Sequence, residues 1–238
     1  MNRQLMGLTT PQKNIWNLQK YYENTAITNL CGAIFYKGRR DNELLRQAIC
    51  CFIQNQSGIR LRFMEDGEPV QYVSDEIDEN IPVMEFSSMG EFDCFAEKFA
   101  GEPLKVWDVP MYRFVIFHVE EKSGVLVLLN HLIADAWTFG MVPNQFEAFY
   151  YEATGKSDIP ILNGDYREFI YSEKEYFVSD RYKKDQKYWE EKYKVCPERS
   201  QIKSDNNLQI GIHAKRISRV LSLDVERNMA TCGYLKDL

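Results

Sequence analysis

The run Val125-Leu126-Val127-Leu128-Leu129 carries an apolar side chain at every position. In an extended strand successive side chains point to opposite faces, so neither face of this strand is suited to water. It reads as a central strand around which the rest of a sheet must be built. "MYRFVIFHVE" lies just before it, separated by the turn "EKSG". Two strands joined so tightly are antiparallel neighbours.

The other elements follow from period and punctuation. "LTTPQKNIWNLQKYY" opens with the residues preferred at a helix cap and first turn, and predicts about three turns of helix. "AITNLCGAIFYKG" reads as a strand. "DNELLRQAICCFIQNQ" places Leu44, Leu45, Ala48, Ile49, Phe52 and Ile53 at helical spacing, with Asp41 as N-cap. "GIRLRF" and "PVQYV" form a hairpin that turns at Asp66-Gly67. "IPVMEF" is a strand, and "SSMGEFDCFAEKFAGEP" a helix stopped by Gly101 and Pro103. Residues from about Phe139 to Ala153 suit a helix. One long charged and aromatic helix starts at Asp165 and continues through "DYREFIYSEKEYFVSDRYKKDQKYWEEKYK". "HAKRISRVLSL" is a late strand and "DVERNMATCGYLKDL" a final short helix. The expected class is α+β: a mostly antiparallel mixed sheet covered by helices, which are expected on one face.

The 238 residues, 45% of them hydrophobic, are enough for a sizeable core in one domain or one large lobe. A net charge of −6 speaks against nucleic acid or an anionic membrane as partner. Arg39-Arg40 and Lys183-Lys184 read as solvated surface charge. No apolar run approaches the roughly 20 residues that span a bilayer, and "MNRQLMGLTTPQ" lacks the apolar core of a secretory signal. The cysteines at 31, 50, 51, 94, 196 and 232 form no CxxC pair. Cys50 and Cys51 sit in a helical pattern, which suggests half-buried free thiols and a reducing, cytoplasmic setting. Without a Cys/His cluster, no zinc site is expected.

The chain has three histidines. His118 reads as a core or strand-end residue, and His213 as surface or hinge. His131 ends the central strand, where a rigid scaffold meets a loop open to substrate. Neutral imidazole, with an unperturbed pKa of about 6.5, suits proton transfer. Asp135, four residues on, could pair with it or with a cation bracing the loop. The residues alone leave two readings open: a reacting base, or a histidine satisfied within the core.

"NHLIADAWTFG" resembles the H-H-x-x-x-D-G-x-S signature of condensation domains of nonribosomal peptide synthetases, in the chloramphenicol acetyltransferase-like superfamily. "LTTPQKNIWNLQ" is similar to the family's opening S-x-A-Q-x-R-L-W-x-L segment at Gln12 and Trp16. "NQSGIRLRF" falls where the family has R-H-E-x-L-R-T-x-F and keeps Arg60 and Phe63. The segment from Asp165 ends in the usual Tyr-Trp pair. The resemblance covers nearly the whole chain.

The resemblance implies amide-bond formation between carrier-bound substrates. His131 matches the catalytic histidine, which positions the attacking amine and accepts its proton. Asp135 matches a structural aspartate, paired with Arg60 beneath the histidine loop. Loss of one side of such a partly buried pair costs about 3–5 kcal/mol. Asn130 replaces the first motif histidine, at a position suited to packing. Ala136 replaces the motif glycine, where a positive φ or a close substrate approach would favour glycine. Trp137 and Phe139 are expected in the core. The aromatic and charged stretch from Tyr166 to Tyr193 reads as a solvated amphipathic helix, with a carrier-docking surface as its functional alternative.

The chain would bind no cofactor itself, the phosphopantetheine arms being supplied by peptidyl or acyl carrier proteins. Because about a hundred residues follow His131, the resemblance implies that 1–238 is a single lobe, the N-terminal half of a condensation domain. Residues from about 222 would lead toward a C-terminal lobe. Two alternatives use the same fold: a catalytically degenerate module that docks a carrier or neighbouring domain, and a stand-alone trimeric acyltransferase.

Overall fold

The computed structural model describes residues 3–155 and 159–198. In chain order the elements are β1 (Met6–Gly7), α1 (Thr10–Tyr21), β2 (Asn29–Tyr36), α2 (Asn42–Asn55), β3 (Leu61–Asp66), β4 (Glu68–Val73) and β5 (Val83–Phe86). They continue with α3 (Met89–Gly101), β6 (Tyr112–Val119), β7 (Lys122–Asn130), α4 (Ala136–Glu152), α5 (Tyr166–Val178) and α6 (Asp180–Lys192). The late strand and helix expected beyond residue 210, and with them His213 and Cys232, lie outside the described residues.

The strands form two sheets. One has the order β2-β7-β6-β5 and the other β1-β4-β3. β7 is flanked by β2 and β6, both antiparallel to it, while β5 joins β6 in parallel. The doubly apolar run is therefore central, and its alternation explains the layering. Val125, Val127 and Leu129 join one buried cluster with Phe52 and Phe146, on the side of α2 and α4. Leu126 and Leu128 join a second cluster with Phe92 and Phe99 of α3. Helices thus cover both faces of this sheet, not one, because neither face of β7 can be left wet.

The expected punctuation holds at several ends. Asp41 caps α2, accepting from the backbone N–H of Glu43 and Leu44, both at 2.9 Å. Gly67 turns the β3–β4 hairpin with φ +75°. Two boundaries differ. Val119 pairs with Lys122, so the β6–β7 turn is only Glu120-Glu121, with Glu120 at φ +54°; Lys122, Ser123 and Gly124 belong to the strand. The long helix from Asp165 breaks at Ser179, whose hydroxyl donates to the Tyr176 carbonyl (2.7 Å) and accepts from the Tyr182 N–H (3.1 Å). That side chain ends one helix and starts the next.

The chain divides into units 1–187 and 188–238, and both sheets belong to the first. In the second, Lys192 lies over the rings of Tyr188, Trp189 and Tyr193 at 5.0–5.9 Å.

Candidate functional site at the end of the central strand

β7 delivers the chain to a turn over residues 131–133, and α4 starts at 136. The His131 side chain is exposed, and its ring makes no hydrogen bond among the described residues. Its backbone is fixed: the N–H donates to the Thr28 carbonyl at 2.7 Å. The residue before it does the anchoring. Asn130 is wholly buried, and its Nδ2 donates to Thr28 Oγ1 (2.9 Å) while its Oδ1 accepts from the Leu132 N–H (2.9 Å). The Thr28 hydroxyl in turn donates to Gln19 Oε1. From the other side Gln12 Nε2 donates to the Leu132 carbonyl (3.3 Å) and to Gln71 Oε1 (2.8 Å). The turn is thus gripped through buried amides and one hydroxyl, linked one to the next by hydrogen bonds.

The Asp135–Arg60 ion pair expected from the sequence is not formed. Asp135 is the exposed N-cap of α4, and its Oδ1 accepts from the Thr138 N–H (3.0 Å) and hydroxyl (3.1 Å). Arg60 stays at the open end of the β3–β4 hairpin, where Nη1 donates to the Ser74 carbonyl (2.6 Å) and lies 3.7 Å from Asp75. The reason is local: a carboxylate at a helix start is already engaged by free backbone N–H groups, and Arg60 is held by its own hairpin. The arginine buried in this region is Arg62, 3% exposed, which donates to the Leu61 and Glu76 carbonyls. Burial holds its pKa below the usual guanidinium range.

Ala136 is the first residue of α4 and is exposed, with no positive φ at this position. Trp137, expected in the core, is instead 87% exposed, in the first turn of α4. Phe139 is half-buried and packs on Gly32, where a Cβ would come within 2.9 Å of its ring. His118 is buried in β6 with Nε2 2.6 Å from Asn42 Oδ1, a core histidine as read. Arg40, read as solvated, is instead partly buried among the rings of Tyr36, Tyr150 and Tyr151 at 4.9–5.2 Å.

Several contributors had no motif signal in the chain: Thr28, Gln19 and Gln71. Tyr166 is another. Burial pushes its phenol pKa up, opposed by a hydrogen bond with Thr9 and reinforced by the Glu173 and Asp135 carboxylates. It thus sits in the field of the α4 start. Chemically, the arrangement offers one accessible imidazole on a backbone turn held by hydrogen bonds, shortly before the N-terminus of α4. Among the described residues, no group of three or more His, Cys, Asp or Glu side chains could hold a metal ion.

A family model described as "Condensation domain" matches residues 2–231. Surfactin synthase subunit 1 of Bacillus subtilis (strain 168) is 29% identical over 227 residues, covering 89% of this chain and 6% of that protein. Tyrocidine synthase 3 of Brevibacillus parabrevis is 25% identical over 184 residues, covering 76% of this chain and 3% of that protein. The crystal structure of the starter condensation domain of rhizomide synthetase superposes with a TM-score of 0.72 at 16% identity, over 79% of this chain and 48% of that one. The first condensation domain of the CDA synthetase superposes with a TM-score of 0.71 at 18% identity, over 83% and 52%. The chain thus spans a small part of these synthetases and about half of each solved domain. The two-sheet, helix-covered architecture is the one those domains share.

Proposed function

We propose, from the premise that this chain belongs to the condensation-domain family, that it is the histidine-bearing half of an amide-forming acyltransferase in nonribosomal peptide synthesis. The observation that carries this reading is the exposed imidazole of His131 on a backbone turn locked from beneath. The substrates are an acyl group held as a thioester on one carrier protein and an amine held on another; the phosphopantetheine arms belong to those carriers. The amine nitrogen attacks the thioester carbonyl carbon, a C–N bond forms, and the C–S bond breaks with its electron pair leaving on sulfur. The proton lost by the amine passes to the free ring nitrogen of His131 and on to the thiolate. Since the acyl group arrives activated, the chain's contribution is alignment and one proton transfer.

Asp135 acts through the start of α4, and Asn130, Thr28 and Gln12 act through the turn; all four are positioning residues. The partners of the proposal are the two carriers and a second, C-terminal lobe, for which the half-length match to solved domains is the support. The setting is the cytoplasm, in keeping with free thiols at Cys31, Cys50, Cys51, Cys94 and Cys196.

The test is transfer from an acyl-loaded to an aminoacyl-loaded carrier, in a polypeptide that joins this chain to a C-terminal condensation lobe. His131→Ala is expected to lower the rate about 10²–10⁴-fold. A rate within about twofold of the parent would refute the reading. It would favour the noncatalytic docking module, to which one observation already points: the imidazole has no orienting partner among the described residues.

A further inference from the structure

The C-terminal half of α1 and residues 103–107 enclose a half-open cavity of about 300 Å³ whose lining does not include His131. That is at the lower end of the size range of small-molecule sites. Its walls are Trp16, Pro103, Leu104, Val106 and Trp107, the two indoles meeting edge-to-face at 4.7 Å. Trp107 is half-exposed, so one indole is available to a guest. Of its polar lining residues, Gln19 is the buried one. It is 6% exposed, its Oε1 accepts from Thr28, and its Nε2 has no hydrogen-bond partner among the described residues. Nε2 is not among the buried side-chain atoms left without a partner, so it keeps access to the cavity, where an acceptor on a guest can meet it. The rim carries no net charge preference. Lys20 is paired with Glu65, and Glu23 and Lys105 have opposite signs.

We propose that this cavity binds a small neutral molecule with an apolar body and a carbonyl acceptor, and that its occupation is felt at the His131 turn. The carbonyl accepts from Gln19 Nε2. On the other side of the same amide, Oε1 holds the Thr28 hydroxyl. Thr28 Oγ1 accepts from Asn130 (2.9 Å), and the Thr28 carbonyl accepts the His131 N–H (2.7 Å). A guest that polarises or shifts the Gln19 amide therefore acts on the backbone that carries the imidazole. This site stands apart from acyl transfer, and its test needs neither carriers nor turnover.

The test uses the full chain and N-acetyl-leucinamide, a neutral aliphatic probe of about the cavity's capacity, roughly ten water volumes. Tryptophan fluorescence reads binding, and the His131 imidazole proton resonance, assigned with His131→Ala, reads the turn. Saturable quenching with a Kd on the order of 1 mM is expected, with the His131 resonance moving along the same curve. Gln19→Leu should weaken binding about tenfold. Trp107→Ala, at a half-exposed position that leaves the relay intact, should do likewise. No saturable signal, or a Kd untouched by both variants, overturns the site. Binding with a stationary His131 resonance overturns the coupling.

Discussion

At the scale of single residues, the histidine turn depends on groups that carry no charge. An ion pair beneath it would have made Asp135→Ala costly, at about 3–5 kcal/mol. As an exposed helix cap, Asp135 should cost about 0.5–2 kcal/mol on replacement by alanine. Thr28→Val should cost more. It keeps the shape of the side chain but strands Asn130 Nδ2 and Gln19 Oε1 in the core, at about 1–3 kcal/mol for each group. Thermal melts of the two variants decide this, since 1 kcal/mol moves the midpoint by about 2–4 °C in a chain of this size. A larger drop for Asp135→Ala would mean that the aspartate bears load the geometry does not reveal. Sequence motifs pointed to His131 and Asn130, but not to Thr28, because a lone threonine in a loop has no pattern. Its role is created by the meeting of segments 102 positions apart.

At the scale of elements, hydrophobic period and cap chemistry were enough for most of the architecture. The central strand, the Asp41 cap, the Gly67 turn and the end of α3 at Gly101 all follow from local residues. Other features rest on choices the local pattern does not encode. The β3–β4 hairpin joins β1 in a separate sheet, yet its alternation would suit either sheet. The break at Ser179 is one hydroxyl overriding a long helical pattern. Arg40 looks like surface charge until three tyrosines from β2 and α4 surround it. Gly124 also has a role that only packing reveals. It lies between Phe35 and Phe117 on neighbouring strands, and a Cβ there would come within 2.2 Å of the Phe117 ring and 2.3 Å of the Ile34 carbonyl oxygen. Because one of those atoms is backbone, Gly124→Ala should destabilise by about 1–3 kcal/mol or more. Chemical denaturation that leaves the midpoint unchanged would show that the strands can part without penalty.

At the scale of the whole molecule, the start of α4 presents a large apolar side chain to solvent. Trp137, six residues after the accessible His131, is 87% exposed, and a second body seated at the start of α4 would cover it. Trp137→Gln should therefore leave the melting temperature of this chain within about 2 °C, since surface changes stay near 0.5 kcal/mol. It should also reduce self-association in sizing chromatography at high concentration. In a polypeptide that also carries the proposed C-terminal lobe, the same change is expected to weaken the contact between the two lobes. A large fall in melting temperature would instead place Trp137 within this chain's own packing.

The tight Glu120-Glu121 corner has a consequence for the order of events when the chain acquires its shape. β6 and β7 are neighbours in sequence and can zip together early, whereas β2 must travel about a hundred positions to reach β7. The grip on His131 comes from Thr28, just ahead of that late arrival. The imidazole's bearing is thus expected to be among the last things settled during folding. Pulse-labelled hydrogen exchange would check this: the His131 amide should gain protection after the β6–β7 amides, and simultaneous protection would contradict it.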